Sequence, residues 1–300
     1  MESAIEKHRD ATWVGYLAVV LATACWGTSG VFVKFMAQSM EIEALPLAFW
    51  RDLGTFVVLF VGLALLQPNW LRVTRQELVW LVGAGASIGV FHVLWNLAVL
   101  LNGAAVATVQ QAVMPAIVAV VAWVIWREPL TWIKILAILL AFIGTVFVSG
   151  LDVLGEVELS LDGFLIGLLL PFFYACCNLF NKKARQYCNA LTILTYAFGF
   201  GALVLLPFQF FVPQTWPVPA AAWGGFAGMI GVATIIPWGM YTFGLGRLPA
   251  SVASILSMLE IPIVALYAYV LLDERLTTSQ IIGSVLVILG LLLLFRRQKK

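Results

Sequence analysis

The sequence predicts an all-α integral membrane protein with ten transmembrane helices, arranged as two inverted five-helix repeats with both termini cytoplasmic. Three observations lead to this prediction: an apolar composition, apolar runs long enough to cross a bilayer, and a segment that recurs 146 residues later. Of the 300 residues, 62% are hydrophobic and 11% are charged, and the mean hydropathy is +1.01. A soluble domain has about 45–50% apolar and about 25% charged residues, so the excess indicates surface that faces lipid.

Apolar runs recur along the whole chain. A bilayer core about 30 Å thick requires about 20 apolar residues per helix. The predicted spans are 13–36, 45–66, 78–101, 104–126, 131–149, 163–187, 190–211, 221–245, 248–271 and 279–295. A miscount would arise at the Asn102-Gly103 or Leu248-Pro249 junction, because these residue pairs are typical of turns.

The basic residues predict the orientation, since Lys and Arg in short loops stay preferentially in the cytoplasm. With the N-terminus inside, all of the 17 basic residues fall on the cytoplasmic side except Lys34, Arg51 and Arg275. The net charge of +2 is too small to indicate nucleic-acid binding. The four cysteines show no metal or disulfide spacing, so no metal and no cofactor is expected.

Two stretches superpose at a shift of 146. AVATVQQAVMPAIVAVVAWVIWREPLT in the first half matches SVASILSMLEIPIVALYAYVLLDERLT in the second, with Met114 on Glu260 and Glu128 on Glu274. A weaker match at a shift of 151 places Trp26 on Cys177 and Gly27 on Asn178. The predicted repeats are 1–150 and 151–300, and because five helices is an odd number the second crosses the membrane in the opposite sense. Inverted repeats around one site are typical of alternating-access transport.

The sequence resembles the EamA-type branch of the drug/metabolite transporter superfamily in four features. They are Glu260, Glu274 at the start of a Glu-Arg-Leu triplet, Gly290 and the Trp26-Gly27 pair. The resemblance covers essentially the whole chain, and within the family it is strongest to bacterial exporters of aromatic amino acids. It implies four helices of each half around the transport path, with the fifth and tenth outside. The family pattern has Glu-Pro adjacent, whereas this chain has Glu260-Ile261-Pro262 in one half and Met114-Pro115 in the other.

Candidate substrate-binding residues lie at helical spacing and at matching positions of the two halves. His92 and Trp95 share a helix face, and the 146 shift places Trp238 and Tyr241 on them. Trp26 lies inside the first span, and Asn178 is on the corresponding face of the sixth. Gln111 on the fourth span matches Ser257 on the ninth, beside Ser254. Anchoring at the membrane surface or hydrogen bonding across packed helices is the alternative for these side chains.

Glu260 lies near the middle of its span, where an ionised group costs about 2.5–3.5 kcal/mol, so its side chain must face protein or water. Three roles remain open: a proton-binding coupling group, a counter-ion for a substrate ammonium, and a structural acceptor for backbone donors freed near Pro262. The first two concern transport, and the third concerns the stability or the conformation of the helix.

The combined prediction is an exporter of small amphiphilic metabolites, best fitted by aromatic or hydrophobic amino acids, in the bacterial inner membrane. Aromatic rings with a few amides and hydroxyls suit a ligand with a flat apolar part and a polar head. A multidrug carrier and a sugar or nucleotide-sugar carrier are alternatives, and a membrane-embedded enzyme is the alternative of another class. The expected partners are the small-molecule substrate and the lipid bilayer, and a homodimer is left open.

Overall fold

The computed structural model describes residues 2–150, 161–213, 218–272 and 275–296, which contain no β-strand. The α-helices are α1 (Glu2–Gly27), α2 (Ser29–Ala37), α3 (Ala44–Leu66), α4 (Arg75–Gln111), α5 (Met114–Trp126), α6 (Trp132–Val148), α7 (Leu161–Ala184), α8 (Ala190–Leu205), α9 (Trp223–Ile230), α10 (Ile236–Leu245), α11 (Ala250–Ser257), α12 (Glu260–Leu272) and α13 (Thr278–Arg296). The predicted all-helical class is confirmed for these residues, and Glu274 lies outside them.

Among the described residues, eight helical stretches are long and apolar enough to cross a membrane. They are Thr12–Ala37, Ala44–Leu66, Arg75–Val99, Val106–Trp126, Leu165–Ala184, Ala190–Phe210, Ala220–Leu245 and Ala250–Leu271. Two further apolar helices, Trp132–Val148 and Thr278–Leu294, are shorter. The chain is therefore a multi-pass membrane protein, while the count of ten spans and the side of the termini stay predictions.

The predicted junction at Asn102-Gly103 is not a break, because α4 continues through it to Gln111. The equivalent junction in the second half is a break, since α10 ends at Leu245 and α11 begins at Ala250. Gly103 corresponds to Pro249 under the 146 shift. Proline lacks a backbone N–H and disfavours the helical conformation of the residue before it, whereas a glycine inside a helix costs only about 1 kcal/mol.

Each half has a helix that begins near the middle of a predicted span. α5 begins at Met114 and α12 at Glu260, and both helices have 13 residues. A proline lies in the first turn of each, Pro115 and Pro262, where a missing N–H leaves no hydrogen bond unmade. The break thus places Glu260 at a helix N-terminus inside the ninth span.

The helices α6 and α13 pack closely along each other, and we call this contact the seam. A methyl group on Gly144 would lie 2.6 Å from the Gly283 carbonyl oxygen, and one on Gly290 would lie 3.0 Å from the Ala137 carbonyl oxygen. Gly144 and Gly290 differ by 146 positions, as do Ala137 and Gly283. The contacts of the seam are therefore reciprocal under the sequence shift.

The packing of two other equivalent glycines differs. α4 packs against α7 and α8, and a methyl group on Gly85 would lie 2.8 Å from the Ala197 carbonyl oxygen. At Gly231, which is 146 positions further on, a methyl group would meet nothing within 4 Å. Gly231 also begins a π-helical turn, Gly231–Ile235, between α9 and α10. The two halves thus share a pattern of helices but differ in how tightly their helices pack at this pair of positions.

Candidate functional site

Three of the predicted residues meet where α1 packs against α10. The ring centres of Trp26 and Trp238 are 5.2 Å apart, edge to face, and those of Trp26 and Tyr241 are also 5.2 Å apart. Trp26 and Tyr241 are buried, at 7% and 1% exposure, and Trp238 is half-buried. Residues from the first and second halves of the chain therefore form one aromatic contact.

Two further rings extend this contact towards α4. Tyr174 on α7 has its ring centre 6.5 Å from that of Trp238, and it stacks on Phe91 of α4 at 4.5 Å. We call Trp26, Phe91, Tyr174, Trp238 and Tyr241 the aromatic cluster. Offset and edge-to-face pairs of this kind are favoured by the ring quadrupole. A planar group entering between the helices would find ring faces and edges from both halves.

Asn178 supplies the polar side of the cluster. The Tyr241 hydroxyl donates a hydrogen bond to its side-chain oxygen, and its amide donates to the Tyr174 carbonyl oxygen at 2.8 Å. The same amide lies 3.8 Å from the Met114 sulfur. Asn178 is buried at 1% exposure, so these bonds satisfy it within the protein. Its polar atoms are therefore occupied, and its role as a substrate-binding residue stays a prediction.

A small cavity lies next to Trp238. Ile88, Cys177, Asn181, Leu194, Ala197, Phe198 and Trp238 line it. Asn181 is 2% exposed, and its side-chain oxygen has no hydrogen-bond partner among the described residues. A buried polar atom left without a partner costs about 1–3 kcal/mol. A ligand or water that donates a hydrogen bond in this cavity would remove that cost.

His92 lies among charged side chains. Its Nδ1 is 2.8 Å from an Asp52 carboxylate oxygen and its Nε2 is 2.8 Å from Arg51 Nη2, so both ring nitrogens are engaged. Among the described residues its ring contacts Phe91, at 5.5 Å between centres. Its role as a substrate-binding residue stays a prediction. We call Arg51, Asp52 and His92 the charged triad.

The remaining predicted residues contribute less directly. Trp95 is half-buried, and its ring centre is 6.3 Å from that of Phe91. Ser254 and Ser257 are buried, and their hydroxyls donate to carbonyl oxygens of α11 itself, Ser254 to Ser251 at 3.0 Å and Ser257 to Ser254 at 2.7 Å. This favours the helix-packing alternative for both serines. Gln111 is half-buried at the end of α4.

Glu260 is half-buried at the start of α12. Within the described part of the chain its carboxylate accepts no hydrogen bond, and α12 packs against α1, the helix that carries Trp26. The coupling, counter-ion and structural-acceptor roles of Glu260 all stay predictions.

Sequence reasoning missed Phe91 and the link from His92 to Asp52. Phe91 looks like an ordinary apolar residue of a span, and nothing in its spacing separates it from the lipid-facing phenylalanines. Asp52 is fully buried although it lies only eight positions from the start of α3. A carboxylate within a span is itself a signal, and the sequence placed it next to Arg51 without indicating a partner on another helix.

Apolar spans, broken helices and a buried aromatic cluster shared by two halves define the class as a multi-pass membrane protein. The chain matches the EamA-like transporter family over residues 13–150 and again over residues 161–296, and it belongs to that family. The resemblance found in the sequence is thus confirmed. The family and the names of its relatives are those of transporters rather than enzymes.

Several relatives match along nearly their whole length. An uncharacterized transporter of Archaeoglobus fulgidus is 25% identical over 94% of this chain and 99% of its own. The uncharacterized inner membrane transporter YicL of Salmonella typhimurium is 24% identical over 95% of this chain and 96% of its own. A probable amino-acid metabolite efflux pump of Escherichia coli is 30% identical, over 47% of this chain and 50% of its own. One crystal structure matches with a TM-score of 0.80 over 97% of this chain and 99% of that chain at 18% identity, which shows the fold alone.

Proposed function

We propose that this protein exports small amphiphilic metabolites, with aromatic or hydrophobic amino acids as the class that fits best. Transport would proceed by alternating access at a central site between the repeats 1–150 and 151–300, in a bacterial inner membrane. The observation that carries the proposal is the aromatic cluster, in which Trp26 of one half meets Trp238 and Tyr241 of the other at 5.2 Å. A name given to two relatives, amino-acid metabolite efflux pump, supports the same class.

The chemistry of the cluster suits a flat ligand with a polar head. The half-buried Trp238 ring, which lines the cavity, offers stacking for a planar side chain, and such a contact is worth about 0.5–1.5 kcal/mol beyond area burial. The Asn181 oxygen, without a partner among the described residues, offers an acceptor for an ammonium, and Glu260 on the helix packed against α1 offers a negative charge. Few polar groups in an apolar cavity are the usual composition of a small-molecule site.

The unequal closure of the two halves supports alternating access. Gly85 is packed against α8, whereas its counterpart Gly231 has open space around it and begins a π-helical turn. Under the predicted orientation, the closed contact lies towards the cytoplasm and the open one towards the outside. Exchange of these two packings between the halves would move access to the site from one side to the other.

Counterflow in liposomes that contain only this protein tests the proposal. Vesicles loaded with unlabelled phenylalanine should accumulate labelled phenylalanine above vesicles without protein, and tryptophan, tyrosine and leucine outside should compete. A charged acidic amino acid and a hexose phosphate are the controls that should compete weakly. Accumulation driven by the hexose phosphate and not by phenylalanine would refute the proposed class.

Export of organic cations is the second candidate, favoured by Glu260. An aromatic cluster is also suited to a hydrophobic cation when a neighbouring helix carries a carboxylate that, among the described residues, accepts no hydrogen bond. The same vesicles distinguish the two candidates. A quaternary aromatic cation that drives counterflow while phenylalanine does not would establish this candidate in place of the first.

A further inference from the structure

The charged triad is distinct from the aromatic cluster, and the aromatic cluster does not explain the function of the triad. Asp52 is fully buried and His92 is 5% exposed, both within membrane-spanning helices. Charged groups at this depth are expensive and are usually retained for function. Asp52 compensates the charge of Arg51, since a carboxylate oxygen lies 3.5 Å from the Arg51 Nε. The ion pair of Arg51 and Asp52 is therefore tolerated in the membrane. Charge compensation alone does not explain why part of the Arg51 side chain stays exposed.

Arg51 uses only one edge of its guanidinium within the protein. Its Nε faces Asp52 and its Nη2 is 2.8 Å from the His92 ring, while Nη1 has no hydrogen-bond partner among the described residues. The side chain is 24% exposed, in contrast to the buried Asp52 and His92. A guanidinium is a planar fork whose free donors match a carboxylate. One hydrogen bond to His92 and the charge of Asp52, 3.5 Å from Nε, thus orient the arginine and leave donors for a further group.

The position of Arg51 relates it to the proposed site. His92, which contacts Arg51, has its ring centre 5.5 Å from that of Phe91, and Phe91 stacks on Tyr174 at 4.5 Å. A positive group therefore adjoins the rings of the aromatic cluster through His92. An amino acid of the proposed class has the matching parts: a carboxylate and a planar side chain.

We propose that Arg51 binds the carboxylate of the transported molecule, and that Asp52 and His92 are positioning residues that orient its guanidinium. This inference rests on the proposed function, because it assigns one contact within the same site. It explains why the guanidinium faces one carboxylate and an imidazole whose Nε2 accepts from it: a second carboxylate would occupy the donors that stay free. It also predicts that this protein distinguishes amino acids from the corresponding amines.

The test is competition against labelled phenylalanine counterflow by three unlabelled compounds: phenylalanine, phenylethylamine and 3-phenylpropionate. For the unaltered protein we expect phenylalanine to compete at least about tenfold more strongly than phenylethylamine, the value of one charge-assisted hydrogen bond. Arg51→Gln should remove most of that preference. It should weaken competition by phenylalanine and 3-phenylpropionate and leave competition by phenylethylamine unchanged. Arg51→Lys, which keeps the charge without the fork, should restore part of it.

Lys34→Gln is the matched control, because it removes an exposed basic residue from the same predicted half of the membrane; the preference should be unchanged. Full preference for the carboxylate in Arg51→Gln would overturn the inference and leave the proposed function intact. Absence of phenylalanine counterflow in the unaltered protein would overturn the proposed function itself.

If Arg51→Gln does not insert into the membrane, Asp52→Asn provides the second variant. It keeps the arginine, and it should weaken competition by phenylalanine while phenylethylamine competes as before. An equal loss for both compounds would mean that the triad is only structural.

Discussion

Glu128 and Ser251, which lie in different halves of the chain, are joined by a hydrogen bond of 2.6 Å from the serine hydroxyl to the carboxylate. The carboxylate also accepts from the backbone N–H groups of Ala250 at 2.8 Å and Ser251 at 3.3 Å. These are the first residues of α11, whose orphan N–H groups and helix dipole favour a negative charge. A residue that follows α5 thus caps a helix of the other half.

Replacement of Glu128 by glutamine should lower the thermal stability of the detergent-solubilised protein. The loss of a cap costs about 0.5–2 kcal/mol, and charge-assisted bonds are about twice as strong as neutral ones. Glu77→Gln is the control, since Glu77 also caps a helix but does so at an exposed position within one helix, with Thr74. A larger loss in Glu77→Gln than in Glu128→Gln would contradict the role of Glu128 between the halves.

Replacement of Trp238 by alanine should weaken the transport of aromatic amino acids while the protein still reaches the membrane. Trp238 contacts Trp26, Tyr174 and Tyr241, so one stacking surface would be lost. The apparent affinity in counterflow should fall by up to about tenfold. Trp132→Ala, at a tryptophan that is 80% exposed, should not change it. Normal transport by Trp238→Ala would show that the cluster packs helices and does not bind substrate.

Neutralisation of the two carboxylates inside the spans should have opposite effects on stability. Glu260→Gln should be neutral or stabilising, because the carboxylate accepts no hydrogen bond among the described residues and its charge is costly in the membrane. Asp52→Asn should destabilise by about 1.5–3 kcal/mol, since it removes a charged acceptor from the buried His92. Thermal unfolding in detergent compares them, and a large loss in Glu260→Gln would mean that the glutamate is structural.

Cysteine labelling tests the predicted cytoplasmic position of the segment between α7 and α8. The native Cys188 is a poor reporter, because burial, and to a smaller degree Glu77, raise the pKa of its thiol to about 11. A raised pKa leaves little thiolate at pH 7, and reactivity should increase as the pH approaches 11. Gln186→Cys introduces an exposed thiol. It should react with a membrane-impermeant maleimide only after the cells are opened, and labelling of intact cells would refute the orientation.

Alanine at two glycines should separate close packing from helix propensity. A methyl group on Gly144 would lie 2.6 Å from the Gly283 carbonyl oxygen, whereas one on Gly62 would meet nothing within 4 Å. Gly144→Ala should cost about 1–3 kcal/mol through overpacking, and Gly62→Ala should gain up to about 1 kcal/mol. Thermal stability measures both. Equal stability of the two variants would show that the seam can separate without loss.

The sequence predicted the helical membrane class, whereas the polar contacts were beyond it. Trp238 and Tyr241 could be selected as candidates through the 146 shift, and Trp26 through its depth in the first span and the 151 shift, because these are properties of the chain alone. The partner of His92 could not, since a hydrogen bond to Asp52 depends on how α3 rotates against α4. For Ser254 and Ser257 the residue types left two roles open, and only the geometry of α11 shows that their hydroxyls bond to their own helix.

The unbroken course of α4 also could not be predicted from residue type alone. Asn102-Gly103 has the composition of a turn, and the position is equivalent to a real break at Leu248-Pro249. A pair of residues that tolerates a turn does not require one, whereas proline removes a donor and restricts its neighbour. The difference between the halves therefore arises from one residue type at one position.

The reciprocity of the seam has a consequence for the ancestry of the chain. Gly144 approaches Gly283 and Val287, while Gly290 approaches Ala137 and Ala141, the same positions of the other repeat. A surface that contacts its own equivalent is self-complementary, as in the isologous interface of a symmetric dimer. Two separate copies of a single five-helix polypeptide, inserted in opposite directions, would already possess this contact. Fusion of duplicated genes would then have required no new interface, only a connecting peptide, after which each copy could diverge as Met114 and Glu260 have done.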